Sequence, residues 1–218
     1  YFKKGDIILD PFSGSGTTMV QSCELGMNAI GIDISVFNTL MGNSKVTKYD
    51  LANVQNEIKR ISKDLKSFLE NSHTVDFETE LLQKLSEFNN KYFPAAEYKY
   101  NLRQGKIDEK KYGEEKEKEF LPIYNQLVKQ YNIKLHQDKT DNFLDKWYLQ
   151  HVREEIEFVL NKIKEIKDID TKKIMSIILS RTIRSCRATT HADLATLIEP
   201  ITAPYYCSKH GKICKPLF

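Results

Sequence analysis

The first 33 residues hold two short apolar runs separated by a glycine-rich turn and a helix-length segment, and this β-α-β order constrains the fold more than any other feature. Asp6-Ile7-Ile8-Leu9-Asp10 is apolar between polar flanks and a proline, as a buried strand is. Thr17 to Leu25 has the apolar and small residues of a helix, and Gly26 suits the left-handed backbone that often closes one. Asn28-Ala29-Ile30-Gly31-Ile32-Asp33 then reads as a second strand ending on a carboxylate. Strands joined by such a crossover of about 30 residues run parallel, and parallel strands are ordinarily covered on both faces. Two of them do not make a stable open sheet, so further strands are expected from residues missing from this chain or from a partner chain. The start without Met, and a strand within a few residues of Tyr1, add the expectation that this is a piece of something longer.

After Asp50 the period changes. Leu51, Val54, Ile58, Ile61, Leu65 and Phe68 recur at helical spacing, and Phe77, Leu81, Leu85 and Phe88 continue the theme in a second helix. The run from Arg103 to Glu119 is nearly all charged and is expected to be a solvated loop or exposed helix. Leu149, Val152, Ile156, Val159, Ile163 and Ile166 give another stripe; Ile174, Ile177 and Ile178 begin one more, with Thr171 placed to cap it. The expected organisation is a cofactor-binding half-domain at residues 1–50, a helical insertion and possible recognition region at 51–180, and a basic connecting segment at 181–218.

Composition sets broad limits. Hydrophobic residues at 40% and charged residues at 29% fit a folded globular protein and not a disordered one. The formal charge of +3 does not by itself argue nucleic-acid binding, because 33 basic residues face 30 acidic ones. No apolar run reaches membrane-span length and the start has no signal-peptide pattern, so a cytoplasmic protein without a membrane partner is expected. Cys23, Cys186, Cys207 and Cys214 are too few for a dense disulfide framework.

The chemistry is carried by Leu9-Asp10-Pro11-Phe12-Ser13-Gly14-Ser15-Gly16-Thr17-Thr18, between strand and helix. Gly14 and Gly16 permit a sharp turn and close approach to a ligand, and the helix amino end points N–H groups and partial positive charge at it. Asp33 stands 17 positions after Gly16, near the spacing of about 20 at which an acid binds ribose hydroxyls. The loop lacks the third glycine of a dinucleotide fingerprint and the Gly-Lys-Ser/Thr of a P-loop.

This loop resembles motif I of the amino-methyltransferases that modify adenine N6 or cytosine N4 in DNA, with signature Asp-Pro-Phe-x-Gly-Ser-Gly-Thr-Thr, and Gly31-Ile32-Asp33-Ile34 looks like their motif II. The resemblance implies an α/β fold, a Rossmann-like methyltransferase sheet with a large, mostly helical insertion, and S-adenosylmethionine as cofactor. It places Asp10, Phe12, Ser13, Gly14, Ser15, Gly16, Thr17 and Asp33 at the cofactor, with Ile34 and Ser35 against the adenine. The implied activity is site-specific methylation of an exocyclic amine on double-stranded DNA with the target base flipped out, in a restriction-modification or other defence system. The family's Asp/Asn/Ser-Pro-Pro-aromatic catalytic motif is absent; it is expected after Phe218, in the remaining half of the methyltransferase domain, and the chain alone is expected to be inactive. Thr202-Ala203-Pro204-Tyr205-Tyr206 is the nearest string and reads better as a proline turn with packed tyrosines than as a degenerate catalytic loop. An RNA base methyltransferase and a non-catalytic subunit with a vestigial loop are the alternatives. Thr17-Thr18 and the helical insertion favour DNA over RNA, and the missing catalytic motif favours the subunit.

Three further features have competing readings. Arg181, Arg184 and Arg187 recur every three residues, as phosphate contacts on one helix face or as a solvated face. Cys207, His210 and Cys214, with Cys186 and His191, have zinc-ligand residue types, but the paired Cys-x-x-Cys spacing is missing, so buried thiols without a metal are the favoured expectation. Trp147 and Tyr148 beside a helical stripe are expected in the core before they are expected on a base.

Overall fold

The computed structural model describes residues 2–70, 72–135, 142–190 and 198–216; His191 lies outside them. Among the described residues the chain is mixed α/β, mostly helical, with one small parallel sheet and one antiparallel hairpin. It divides into two compact units, Tyr1–Ser62 with Val159–Arg181, and Lys63–Phe158 with Thr182–Phe218. No helix among the described residues is long and apolar enough to cross a membrane.

The first unit opens with the β-α-β element that the sequence predicts: β1 (Ile7–Asp10), α1 (Thr17–Glu24) and β2 (Asn28–Gly31). The strands are parallel, with Ile7 opposite Asn28 and Asp10 opposite Gly31. Gly26 ends α1 at φ 73°, the left-handed conformation expected of it. Ile7, Leu9 and Ile30 are exposed, so one face of this two-stranded sheet is apolar and uncovered among the described residues. α2 (Val36–Val46) follows β2 and packs on α1.

The remaining core of this unit joins α3 (Leu51–Glu70), α8 (Gln150–Lys164) and α9 (Ile169–Ile183) through Ile61, Ile163, Ile166 and Met175. Arg60 braces it, pairing with Glu57 and Glu165 and donating to the Lys162 carbonyl. Thr171 does not cap α9. Asp168 does so, accepting from the Thr171 N–H at 2.7 Å, because Thr171 lies one turn inside, fully buried, with its hydroxyl taken by the Asn53 amide at 3.0 Å.

The second unit is built on α4 (Thr74–Tyr92), α5 (Ala95–Arg103) and α6 (Glu109–Gln130). All four apolar residues of the predicted second stripe, Phe77, Leu81, Leu85 and Phe88, are buried against Phe120, Tyr124 and Leu127. Each such side chain contributes about 1.5–3 kcal/mol of burial. The second part of the charged run begins α6, where Lys116 is buried between Glu115 and Glu119, with its ammonium over the Tyr92 and Tyr112 rings. Composition hid this because a charged side chain paired on both sides can line a core that the same residue unpaired could not.

Trp147, at the end of α7 (Phe143–Trp147), is buried with Tyr148, Leu149, Val152, Ile156 and Ala188, in the core as expected. β3 (Tyr205–Cys207) and β4 (Lys212–Cys214) form the hairpin that packs on α4 and α6. Pro204 is buried and Tyr206 stacks on Phe93, its hydroxyl held by Tyr98 and Glu109, so this string is packed structure.

Burial pushes the Glu155 carboxyl up to about 7, with repulsion from Glu78 and Glu154 adding to it. The folded state therefore holds a proton that the unfolded chain has released, and the stability this gives is present at low pH and lost as pH rises through about 7. His151, one turn earlier, is pushed down to about 4 by burial; its contribution is lost in the other direction, as pH falls toward that value. The two slopes offset each other in mildly acidic solution, and Glu155 alone acts near neutrality. Chemical denaturation is expected to show Glu155→Gln gaining about 1–2 kcal/mol relative to wild type between pH 5 and pH 8, after discount for solvent screening. An unchanged difference between the two pH values would contradict a buried carboxyl.

Candidate cofactor-binding site

The β1–α1 and β2–α2 loops both leave the carboxyl ends of parallel strands, where ligands bind in open α/β sheets. The first loop is shaped by its own backbone. The Asp10 carboxylate accepts from the Phe12 N–H at 3.1 Å, and the Gly16 N–H donates to the Ser13 carbonyl at 2.8 Å. The Ser13 N–H donates to the Ile32 carbonyl at 2.9 Å, which ties the loop to the end of β2.

Asp33 completes the tie. One carboxylate oxygen accepts from the Gly14 N–H at 2.9 Å; the other accepts from the Ser35 N–H at 2.8 Å and the Asn38 amide at 3.1 Å. These donors, Ser35 and Asn38 foremost, hold its pKa below the usual carboxylate value, against the opposing effect of burial, so it is an anion at neutral pH. Ser35 also caps α2 by accepting from the Asn38 N–H at 3.3 Å, and Ser15 accepts from the Lys45 ammonium at 3.1 Å.

The two loop glycines differ in purpose. Gly14 has φ 51° and open space where a side chain would begin. Gly16, at φ 83°, would place a Cβ 2.6 Å from the Gly42 Cα. A Cβ at Gly31 or at Gly42 would meet Met19 at 2.6 Å, so Gly16, Gly31 and Gly42 let α1, α2 and β2 close around one methionine. Gly14 alone leaves room for a ligand at the backbone. Gly16 also begins α1 without a side-chain cap, and no acid stands in the first turn, so those N–H groups face solvent or a ligand. Thr17 opens this turn and is exposed. Phe12 and Ile34, at 88% and 103% exposure, are apolar side chains standing out from the two loops that Asp33 joins.

All ten predicted residues thus come from two adjoining loops and the strand and helix ends that border the first of them, Asp10 of β1 and Thr17 of α1. Sequence reasoning missed Asn38, Lys45 and the packing around Met19. The Ser35-x-x-Asn38 spacing of a helix cap was the available signal for the first; no local pattern announces which residues of α2 approach α1.

The arginine stripe does not share one helix face. α9 ends at Ile183, Arg184–Cys186 form a 3-10 turn, and Arg187 is extended and buried, its guanidinium donating to the Arg184 carbonyl at 3.0 Å. Arg181 and Arg184 are exposed. Cys186 donates to the Thr182 carbonyl and packs beside the Trp147 cluster.

Gly14→Ala is expected to cost about 1 kcal/mol, the ordinary penalty of a left-handed alanine. Gly16→Ala is expected to cost about 1–3 kcal/mol more, from overpacking against backbone. Denaturation midpoints of the two variants check this order, and equal losses would contradict the packing role of Gly16.

Residues 1–38 match the family model described as DNA methylase, N6/N4 type. Along its whole length the chain is 45% identical to the Type II methyltransferase M.MjaII of Methanocaldococcus jannaschii, and it spans 42% of that protein. Over 60 residues it is 43% identical to the Type II methyltransferase M.BsoBI of Geobacillus stearothermophilus, which is 27% of this chain and 12% of that one. No solved structure matches it. The family match contains the whole of the Asp10–Asp33 site, so the cofactor loops are similar to those of N6/N4 DNA methylases, and the likeness to M.MjaII runs through both units.

Proposed function

We propose that this chain is the S-adenosylmethionine-binding part of a site-specific DNA methyltransferase that methylates an exocyclic amine of adenine or cytosine, in the cytoplasm and within a restriction-modification or defence system. The observation that carries the reading is the Asp33–Gly14 hydrogen bond, which sets a carboxylate beside the one loop glycine with open space above it. The Type II methyltransferases that the chain resembles support the substrate class.

The residues fit an adenosyl-sulfonium ligand. A carboxylate has about four lone-pair sites, and three donors already use Asp33, so the oxygen bonded to Gly14 keeps capacity for a ribose hydroxyl. Phe12, Ile34 and Ser35 form the side for the adenine. Ser13, Gly14, Ser15, Gly16 and Thr17 border the methionine part, whose carboxylate suits the uncapped amino end of α1. Asp10 keeps the turn in shape through the Phe12 N–H. When bound, S-adenosylmethionine supplies an electrophilic methyl group on its sulfonium; the protein's part is to hold and orient it.

The rest of the reading concerns residues outside this chain. The uncovered face of Ile7, Leu9 and Ile30 is where a helix of the remaining half would pack, while its strands would add at the open edges of a Rossmann-like sheet and bring the Pro-Pro-aromatic motif to a flipped base. Arg181 and Arg184 are assigned to DNA phosphates; the buried Arg187 supports the turn between them and the core.

Calorimetric titration of the full-length protein with S-adenosylmethionine, S-adenosylhomocysteine and NAD tests this. The first two are expected to bind and NAD is not. Asp33→Ala, with its fold checked by circular dichroism, is expected to lose about 1–3 kcal/mol of affinity. Absence of binding by either adenosyl ligand, or an unchanged affinity in the variant, would sink the assignment.

A further inference from the structure

We infer that Cys207, His210 and Cys214 form a zinc site that fastens the β3–β4 hairpin, a site separate from the cofactor loops. The three ligand atoms lie within 4.8 Å of one another, and both sulfurs stand 3.5 Å from the same atom, His210 Nδ1. A tetrahedral ion with Zn–S of about 2.3 Å and Zn–N of about 2.1 Å sets sulfur and nitrogen about 3.6 Å apart. Thiol hydrogen bonding alone does not account for two sulfurs on one nitrogen, because an imidazole nitrogen has a single lone pair or a single proton to share. Convergence on one ion does.

The ligands sit on a scaffold built without the ion. Cys207 and His210 flank a tight turn in which the His210 and Gly211 N–H groups both donate to the Cys207 carbonyl, and Gly211 takes φ 61°. Cys214 returns along β4, antiparallel to β3. The Asn89 side chain donates to the Ile213 carbonyl and accepts from its N–H, as a neighbouring strand would, and Ile213 itself is buried in the α4–α6 core. The Glu117 carboxylate accepts from the Tyr206 N–H at 2.8 Å. The hairpin is therefore held on both strands, and the ligand atoms are held with it.

Two thiolates and an imidazole select zinc over magnesium or calcium, which prefer oxygen. The thiols bind as thiolates and give their protons to solvent. The exposed position of His210 leaves the fourth coordination site to a water. The buried thiols favoured on sequence spacing are thus two members of a cluster, and Cys186, bonded to the Thr182 carbonyl, is not a third.

Full-length protein loaded with zinc under reductant, dialysed and analysed for metal is expected to hold about one ion per chain at this site. Replacement by Co(II) is expected to give a thiolate charge-transfer band and the intense visible absorption of tetrahedral coordination. His210→Ala, at an exposed position, is expected to weaken metal binding at least tenfold and to lower the thermal midpoint of the loaded protein to that of the chelated one; Cys186→Ser is expected to change neither. Retention of the metal and the band by the double variant His210→Ala/Cys214→Ser would overturn the proposal. So would wild-type protein without metal after loading, or a Cys207–Cys214 disulfide found by thiol titration of protein prepared under reductant.

Discussion

Three donors converge on the Asp33 carboxylate, and they belong to two loops and a helix: the Gly14 N–H, the Ser35 N–H and the Asn38 amide. Among the described residues, the other hydrogen bond from the β1–α1 loop to the end of β2 is that of the Ser13 N–H to the Ile32 carbonyl. With the Asp33 anion, a flexible glycine segment becomes a fixed edge whose open side lies over Gly14. Charge-assisted hydrogen bonds are the stronger kind, which is what a loop on a two-stranded sheet needs to stay ordered. The same side chain that orders the loop retains acceptor capacity for a ligand, so folding and binding draw on one group.

The packing behind the loop is as specific as the loop. Met19 fills the space that Gly16, Gly31 and Gly42 leave, and a methyl group at any of the three would meet an atom at 2.6 Å. Methionine suits such a gap because its unbranched chain adapts to irregular volume. In front of the loop the opposite holds: Phe12, Ile34 and the Ile7, Leu9 and Ile30 face are apolar and exposed. A parallel sheet with one bare apolar face is incomplete as a folding unit. The first 38 residues are similar to N6/N4 DNA methylases, and the chain spans 42% of M.MjaII.

The β-α-β element was legible because its strands, glycines and closing carboxylate are local signals, and the structure places all of them within a residue or two of their predicted positions. The helical stripes at Phe77–Phe88 and Leu149–Ile166 were legible for the same reason. What escaped depended on partners distant in sequence. Thr171 looks like a cap, but Asn53 claims its hydroxyl from 118 residues away. Lys116 looks solvated, but Tyr92 and Tyr112 enclose it. Arg181, Arg184 and Arg187 keep helical spacing, but α9 ends at Ile183, between the first and the second of them. Cys207, His210 and Cys214 gather because a hairpin folds them together, and a three- and four-residue spacing reads equally well as nothing.

The most direct test of the central claim is the amide resonance of Gly14, followed in glycine-labelled full-length protein during titration with S-adenosylhomocysteine. A saturable shift of Gly14 is expected, larger than that of Gly42, whose surroundings are the Met19 packing and not the ligand. Binding that saturates while the Gly14 signal stays in place would put the cofactor elsewhere and contradict the account.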